Sequence, residues 1–210
     1  MAFDGVVISN IVKDMKMRLP GGRIYKIYQP ENDEINLVIK NQGTTFRLML
    51  NASATLPLVY FLQGNKTNPA SAPNFCMLLR KHIGNGRIIG IEQPGFERII
   101  MIEIEHLDEL GDLCRKKLVI ELMGKHSNII FMDDNGRIID SIKRIGAQIS
   151  SVREVLPGYD YVLPPNEKES PLDITEDYFN SVILNKSMSI EKALYTSVTG
   201  FSKEIAGELC

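Results

Sequence analysis

Apolar residues near the start of the chain recur every three to four positions, and over much of the remaining chain they recur every second position. Val7, Ile11, Val12, Met15 and Leu19 make a single stripe, which predicts a helix capped by Asp4 and ended by Pro20-Gly21-Gly22. Segments 23–28, 34–40 and 44–50 are rich in β-branched and aromatic residues. In them Ile35, Leu37, Ile39 and then Phe46, Leu48, Leu50 recur at every second position, the pattern of half-buried antiparallel strands. Pro30-Glu31-Asn32-Asp33 and Asn41-Gln42-Gly43 carry turn chemistry between them, and another strand is expected at 58–62 after Pro57.

A polar loop over 64–73 leads to a predicted helix over 74–83, with Phe75, Leu78, Leu79 and Ile83 on its buried face and Arg80, Lys81 and His82 largely opposite. Gly84-Asn85-Gly86 is a turn. Strands are then expected at 87–92, 98–105, 117–123, 129–133 and 137–142, and Asn135-Gly136 is expected to supply the positive φ angles of a tight hairpin turn. Many short strands with two flanking helices predict an α+β fold, an antiparallel β-sandwich or open barrel.

Past Ile142 the periodicity stops. Leu156-Pro157-Gly158, Pro164-Pro165 and Pro171 predict an extended connection and a domain boundary near Pro165, dividing the chain into 1–165 and 166–210. Helices are expected at 175–183 and 189–198, followed by Thr199-Gly200-Phe201-Ser202 as a short hairpin into a third helix, the outline of a helix-hairpin-helix unit. The third helix reaches Cys210 with no stop signal, so this second part is expected to be truncated there.

Composition narrows the picture only slightly. The chain has 210 residues, 44% of them hydrophobic, and a net charge of −2, so bulk electrostatics does not drive it toward nucleic acid. The charge is unevenly placed: residues 1–165 hold 20 Lys+Arg against 18 Asp+Glu, whereas residues 166–210 hold 4 against 8. A polyanion would have to meet a local patch on the first part. There is no apolar run of membrane-spanning length and no signal-peptide layout at the start, which predicts a cytoplasmic protein without a membrane partner. Cys76, Cys114 and Cys210 are scattered and are expected to be buried free thiols.

Candidate chemistry centres on Met123-Gly124-Lys125-His126-Ser127-Asn128. A phosphate-binding loop would need a glycine at 119 and a hydroxyl residue at 126, where Val119 and His126 stand. His126 beside Ser127 lacks the opposed geometry and the orienting acid of a triad, and His82, His106 and His126 lack metal-ligand spacing, so neither catalysis, a metal nor a cofactor is expected. The basic candidates are Arg80-Lys81-His82, Arg98, Arg115-Lys116-Lys117, Lys125-His126 and Lys143-Arg144, each of which an ordinary solvated surface would also explain. Glu97-Arg98 differs in kind, because a carboxylate beside a guanidinium can accept from base amino groups and donate to phosphate.

Taken together, Phe3-Asp4-Gly5, Gly21-Gly22-Arg23-Ile24, Lys26-Ile27-Tyr28-Gln29-Pro30, Phe75-Cys76-Met77-Leu78-Leu79-Arg80-Lys81-His82, Glu109-Leu110-Gly111-Asp112-Leu113, Glu121-Leu122-Met123-Gly124-Lys125-His126-Ser127-Asn128, Asp140-Ser141-Ile142-Lys143 and Leu156-Pro157-Gly158 resemble, in order and spacing, the N-terminal domain of the NFACT family over the whole chain. The resemblance implies a factor of ribosome-associated quality control that binds a large ribosomal subunit carrying peptidyl-tRNA, recruits alanyl-tRNA and supports alanine tailing of stalled chains. It implies tRNA contacts at Glu97 and Arg98, where the family carries Asp-Arg, and at Glu121, Leu122, Met123, Lys125, His126 and Asn128, with Lys125 where most members have Arg. Arg80 and Lys81 are candidates for additional RNA contacts. The domain is also similar to the N-terminal fold of formamidopyrimidine-DNA glycosylases, whose proline nucleophile and neighbouring glutamate are replaced by Ala2 and Phe3, so a nucleic-acid-binding scaffold without catalysis is expected. Adhesion to fibronectin, an older label within the family, is the alternative reading.

Overall fold

A computed structural model describes residues 3–64 and 66–210, leaving Ala2 outside the described residues. Helix α1 (Gly5–Arg18) opens the fold, with the Asp4 carboxylate accepting from the Val7 amide at 2.9 Å as its cap. Strands β1 (Arg23–Glu31), β2 (Glu34–Asn41), β3 (Thr44–Asn51) and β4 (Leu58–Phe61) follow, then helix α2 (Asn74–Ile83). Strands β5 (Arg87–Glu92), β6 (Ile99–Leu107), β7 (Leu113–Glu121), β8 (Asn128–Asp133) and β9 (Ile138–Ser141) complete one open, wholly antiparallel sheet in the order β4-β3-β2-β1-β5-β6-β7-β8-β9. The fold is α+β as expected, in the form of a single nine-stranded open sheet with flanking helices.

The sheet is narrowest in its middle. β1 and β5 share one register pair, Arg23 with Arg87, reinforced by backbone bonds from Gly21, Ile24, Asn85 and Ile88 of 2.8–2.9 Å. Beyond that pair α2 covers the free edge of β1: Arg80 Nε donates to the Ile27 carbonyl at 2.8 Å and the Cys76 thiol donates to the same oxygen at 3.5 Å. Both halves of the sheet turn one face onto α1 and α2, where Ile35, Leu37, Leu48, Ile100, Ile102, Leu118 and Phe131 share a core with Ile8, Met15 and Leu79. Each of these side chains, fully removed from water, contributes roughly 1.5–3 kcal/mol.

Strands β6 to β8 are apolar on both faces, which explains the runs Leu118-Val119-Ile120 and Ile129-Ile130-Phe131-Met132. Ile99, Val119, Ile130 and Met132 form a second core on the reverse face, closed by Val155 and Tyr161. The proline-bearing stretch after Ile142 is therefore a cover over this face, held by bridges between Ile145 and Val155 and between Arg137 and Asp160.

Several boundaries differ from expectation. β7 starts at Leu113 because its charged end pairs across to β6, Arg115 opposite Glu105 and Lys117 opposite Glu103. It stops at Glu121 because Gly124, at φ +58°, bends the chain. In the Asn135-Gly136 turn only Gly136 takes a positive φ, since the Asp133 carboxylate accepts from the Asn135 and Arg137 amides and sets the bend itself. The expected helix over 175–183 is one α turn, α3 (Glu176–Tyr178), continued as a wider π turn over Phe179–Ile183, where β-branched Val182 and Ile183 favour the helix weakly. Helices α4 (Ile190–Ser197) and α5 (Lys203–Leu209) pack with Ile183 in a third small core. Of the thiols only Cys76 is buried; Cys114 is half-buried and Cys210, at the end of α5, is exposed. Among the described residues no helix is long and apolar enough to cross a membrane.

Candidate nucleic-acid interface

Glu97-Arg98 and the 121–128 stretch meet at one end of the sheet. Ile99 pairs with Glu121, and the Leu122 amide donates to the Arg98 carbonyl at 2.9 Å, so residue 98 lies beside residue 122 where the two strands end. The turn feeding Arg98 is unusual: Gly95 and Phe96 both take positive φ, +52° and +62°, the latter costly for a bulky side chain. Gln93 holds the turn closed, its amide donating to the carbonyls of Gly5 and Glu97 at 2.9 Å each.

The 121–128 stretch divides sharply into interior and rim. Glu121 is fully buried, one oxygen paired with Arg153 and the other accepting from the Tyr161 hydroxyl at 2.9 Å. Leu122 is a core side chain. Asn128 is buried as well, its Nδ2 donating to the Lys143 carbonyl at 2.8 Å while its Oδ1 accepts from the Lys143 and Ile129 amides. All three side chains thus face the interior, Glu121 and Asn128 bonded there and Leu122 packed in the core.

Met123 is half-buried against the second core, and a short 3-10 turn over Gly124–His126 then projects Lys125 and His126 outward. Ser127 Oγ accepts from the Met123 amide at 2.8 Å and locks the turn. Lys143 ties this turn to the loop after β3, donating to the carbonyls of Ala52 at 2.5 Å and Ser127 at 3.0 Å; burial lowers its pKa, against the pull of Asp33. Two rim residues of the eight expected, Lys125 and His126, thus join Arg98 as exposed donors.

Arg98 itself has no hydrogen-bond or ion-pair partner for its guanidinium among the described residues. Glu97 is half-buried and its Oε1 accepts from Asn166 Nδ2 at 2.5 Å, which also donates to the Thr199 hydroxyl at 2.7 Å. Only one carboxylate oxygen of Glu97 therefore stays open to a ligand. Lys168 lies close by, donating to the Tyr195 carbonyl at 2.8 Å; burial lowers its pKa, and Arg98 and Lys186 lower it further by charge repulsion. Asn166, Lys168 and Lys186 were absent from the sequence-based site. They come from the acidic second part, whose net charge hides a cation, Lys168, lying close to Arg98.

Arg80 and Lys81 are not brought to this rim. Lys81 pairs with Glu109 at 3.0 Å, beyond the far end of β6, which at the rise of a β-strand lies about 25–30 Å from Arg98. Arg80 is committed to Ile27 and sits over the Tyr28 ring at 5.8 Å. Phe3 packs against the main core. Among the described residues no group of three His, Cys, Asp or Glu side chains is placed to hold a metal.

A family model described as NFACT N-terminal and middle domains matches residues 4–210. Among curated proteins, the Rqc2 homolog RqcH of Bacillus subtilis is 38% identical over 210 residues, covering 99% of this chain and 37% of its own length. An archaeal Rqc2 homolog of Methanocaldococcus jannaschii is 28% identical over 207 residues, covering 95% of this chain and 29% of its own. This chain thus spans 37% and 29% of the lengths of these two relatives. Among solved structures, the N-terminal domain of fibronectin-binding protein PavA from Streptococcus pneumoniae superposes with a TM-score of 0.90 at 34% identity, over 99% of this chain and 78% of that one. The N-terminal part of the fibronectin/fibrinogen-binding protein of Streptococcus suis gives 0.91 at 34%, over 99% and 78%. Sequence, length of match and architecture agree: the chain belongs to the family of NFACT N-terminal and middle domains.

Proposed function

We propose that this rim is the tRNA-facing surface of a ribosome-associated quality control factor, which engages alanyl-tRNA on a large ribosomal subunit carrying peptidyl-tRNA and supports alanine tailing of stalled chains. One observation carries the reading: an exposed Arg98, unpaired among the described residues, stands beside the strand end that leads into the turn bearing Lys125 and His126, with Lys168 close enough for its charge to be felt. A guanidinium without a carboxylate offers its planar fork to phosphate or to base acceptors, and the surrounding cations add attraction without fixed geometry. The sheet with its two helices is read as a glycosylase-like scaffold that binds nucleic acid without cleaving it, and α4, the 199–202 turn and α5 as a helix-hairpin-helix unit opening a second domain at about 166. Arg98→Ala should weaken alanyl-tRNA binding about tenfold or more while leaving the circular dichroism spectrum unchanged, because a charge-assisted contact contributes about 1.5–3 kcal/mol. Unchanged affinity in filter binding would remove Arg98 from the site.

A second reading is favoured by the names of the two streptococcal structures and by β4, whose free edge could pair with an extended peptide. On that reading the chain is a fibronectin-binding module. It requires the native protein to be detected on the surface of intact cells, and truncation of β4 rather than loss of Arg98 to abolish fibronectin capture.

A further inference from the structure

The outer face of β1, β2 and β3 carries a concentration of rings and cations that the rim does not use. A bulge in β1 between Ile24 and Lys26 breaks the alternation, so Tyr25 and Lys26 are both exposed, with Tyr28 half-buried further along the strand. Lys40, from β2, lies 3.6 Å from the centre of the Tyr25 ring, Lys26 lies 5.4 Å from it, and Arg80 of α2 covers Tyr28 at 5.8 Å. Two adjoining depressions, of 370 and 160 Å³, flank this ridge and share Tyr25, Lys26 and Tyr28; the second runs on to Lys40 and Arg47.

Several other surface cations, Lys81, Arg87, Arg115 and Arg144 among them, sit in ion pairs. Lys26, Lys40 and Arg80 have rings for neighbours and no carboxylate within ion-pair distance among the described residues. Of the two carboxylates on β1–β3, Glu31 ends its strand, and Glu34 is buried and taken by Lys66, Asn36 and Asn51. A ring holds an ammonium without neutralising it, so the positive charge of this face stays available. An antiparallel sheet with its inner face in the core and its outer face lined by aromatics between cations is suited to single-stranded nucleic acid, whose bases stack on rings while phosphates meet the charges.

We propose that the outer face of β1–β3 is a second RNA-binding surface, which takes a short single-stranded segment with bases on Tyr25 and Tyr28 and phosphates on Lys26, Lys40 and Arg80. It is separate from the Arg98 rim and rests on the proposed function only in the choice of RNA as the polyanion. Binding moves Lys40 off the Tyr25 ring toward a phosphate and puts a base in its place. Because the segment is recognised by stacking and charge, the surface is tolerant of sequence.

The test is fluorescence anisotropy of the 210-residue chain with a labelled oligouridine of about twelve nucleotides, a length within the reach of single-strand-binding folds and without tRNA structure. Tyr25→Ala should weaken binding about tenfold, whereas Tyr25→Phe, which keeps the ring, should leave it unchanged. Lys26→Gln with Lys40→Gln should reduce the slope of log affinity against log salt by about 1.4, at roughly 0.7 per lost phosphate contact. Arg98→Ala should not alter oligouridine binding, so failure of the tRNA assignment and failure of this one are separate results. Tyr25 is 49% exposed, so these variants should fold, and thermal unfolding checks that they do. No binding by the parent chain, or equal binding by Tyr25→Ala, overturns the proposal; a response to the lysine pair alone does so too, since charge without stacking is not the interaction proposed.

Discussion

Glu121 carries its carboxylate into the interior, where an unpaired charge would cost several kcal/mol. Both oxygens are satisfied, by Arg153 and by Tyr161, and Arg153 also donates to the Val162 carbonyl at 2.6 Å and lies over the Tyr161 ring at 5.7 Å. Burial, and then the negative charge of Glu121, push the Tyr161 hydroxyl well above its usual pKa, so it stays a donor at any ordinary pH. Glu121→Gln should therefore destabilise the fold by about 3–5 kcal/mol in urea unfolding, since it leaves the Arg153 charge buried without a counter-charge. Glu121→Met with Arg153→Met should recover most of that loss. At concentrations where Glu121→Gln is fully folded, tRNA affinity should match the parent; a deficit there would restore a direct contact. This role was not legible in the sequence. Glu121 ends a strand apolar on both faces, where alternation marks no outer side, and its partner Arg153 stands 32 residues away in a stretch without periodicity. Arg98 could be singled out because its meaning is local, a charged dipeptide at a strand entry.

Whole elements were read more faithfully than single residues where their signals are short-range. The bounds of α2 and β5 agree with the sequence reading because each is a periodic run between turn-forming residues. The 3-10 turn before Arg98 left no such trace, since it depends on a contact brought in from a distant segment, the bond from Gln93 to Gly5. α2 also carries a pH response. His82 lies at its last turn with its ring 5.9 Å from that of Phe131. Burial lowers its pKa from 6.5, and Lys81, Lys116 and His106 lower it further. Below that value the unfolded chain takes up a proton before the folded one does, so the folded state binds fewer protons and loses stability as pH falls from about 6.5 toward the depressed pKa. The parent should then lose more melting temperature between pH 7 and 5 than His82→Gln does, with the carboxylates common to both cancelling in the difference. Parallel curves would mean that His82 titrates alike in both states.

At the scale of the whole molecule, the sequence suggested two parts divided near Pro165 and could not say how they meet, because nothing periodic crosses the boundary. They meet at two glycines. The Gly5 amide donates to the Gly200 carbonyl at 2.7 Å, and a side chain at Gly5 would stand 2.5 Å from the Phe96 carbonyl oxygen and 2.6 Å from the Gly200 Cα. Gly200, at φ +73°, is equally closed in by Phe96 and Gly5, and Ser202 Oγ donates to the Asp4 carboxylate at 2.6 Å while capping α5. The same Phe96 precedes Glu97-Arg98, so the contact that docks the helices also sets the turn presenting Arg98 and holds Lys168 near it. Gly200→Ala should cost about 2–4 kcal/mol from the positive φ and the overlap together. It should also speed proteolysis near the 160s and weaken tRNA binding with Arg98 still present. Gly207→Ala, in α5 with open space around it, is the control and should be neutral or stabilising by about 0.5–1 kcal/mol. If Gly200→Ala releases the helical part to protease yet leaves tRNA affinity at the parent level, the rim is complete within the sheet domain and the cations of the second part play no role in it.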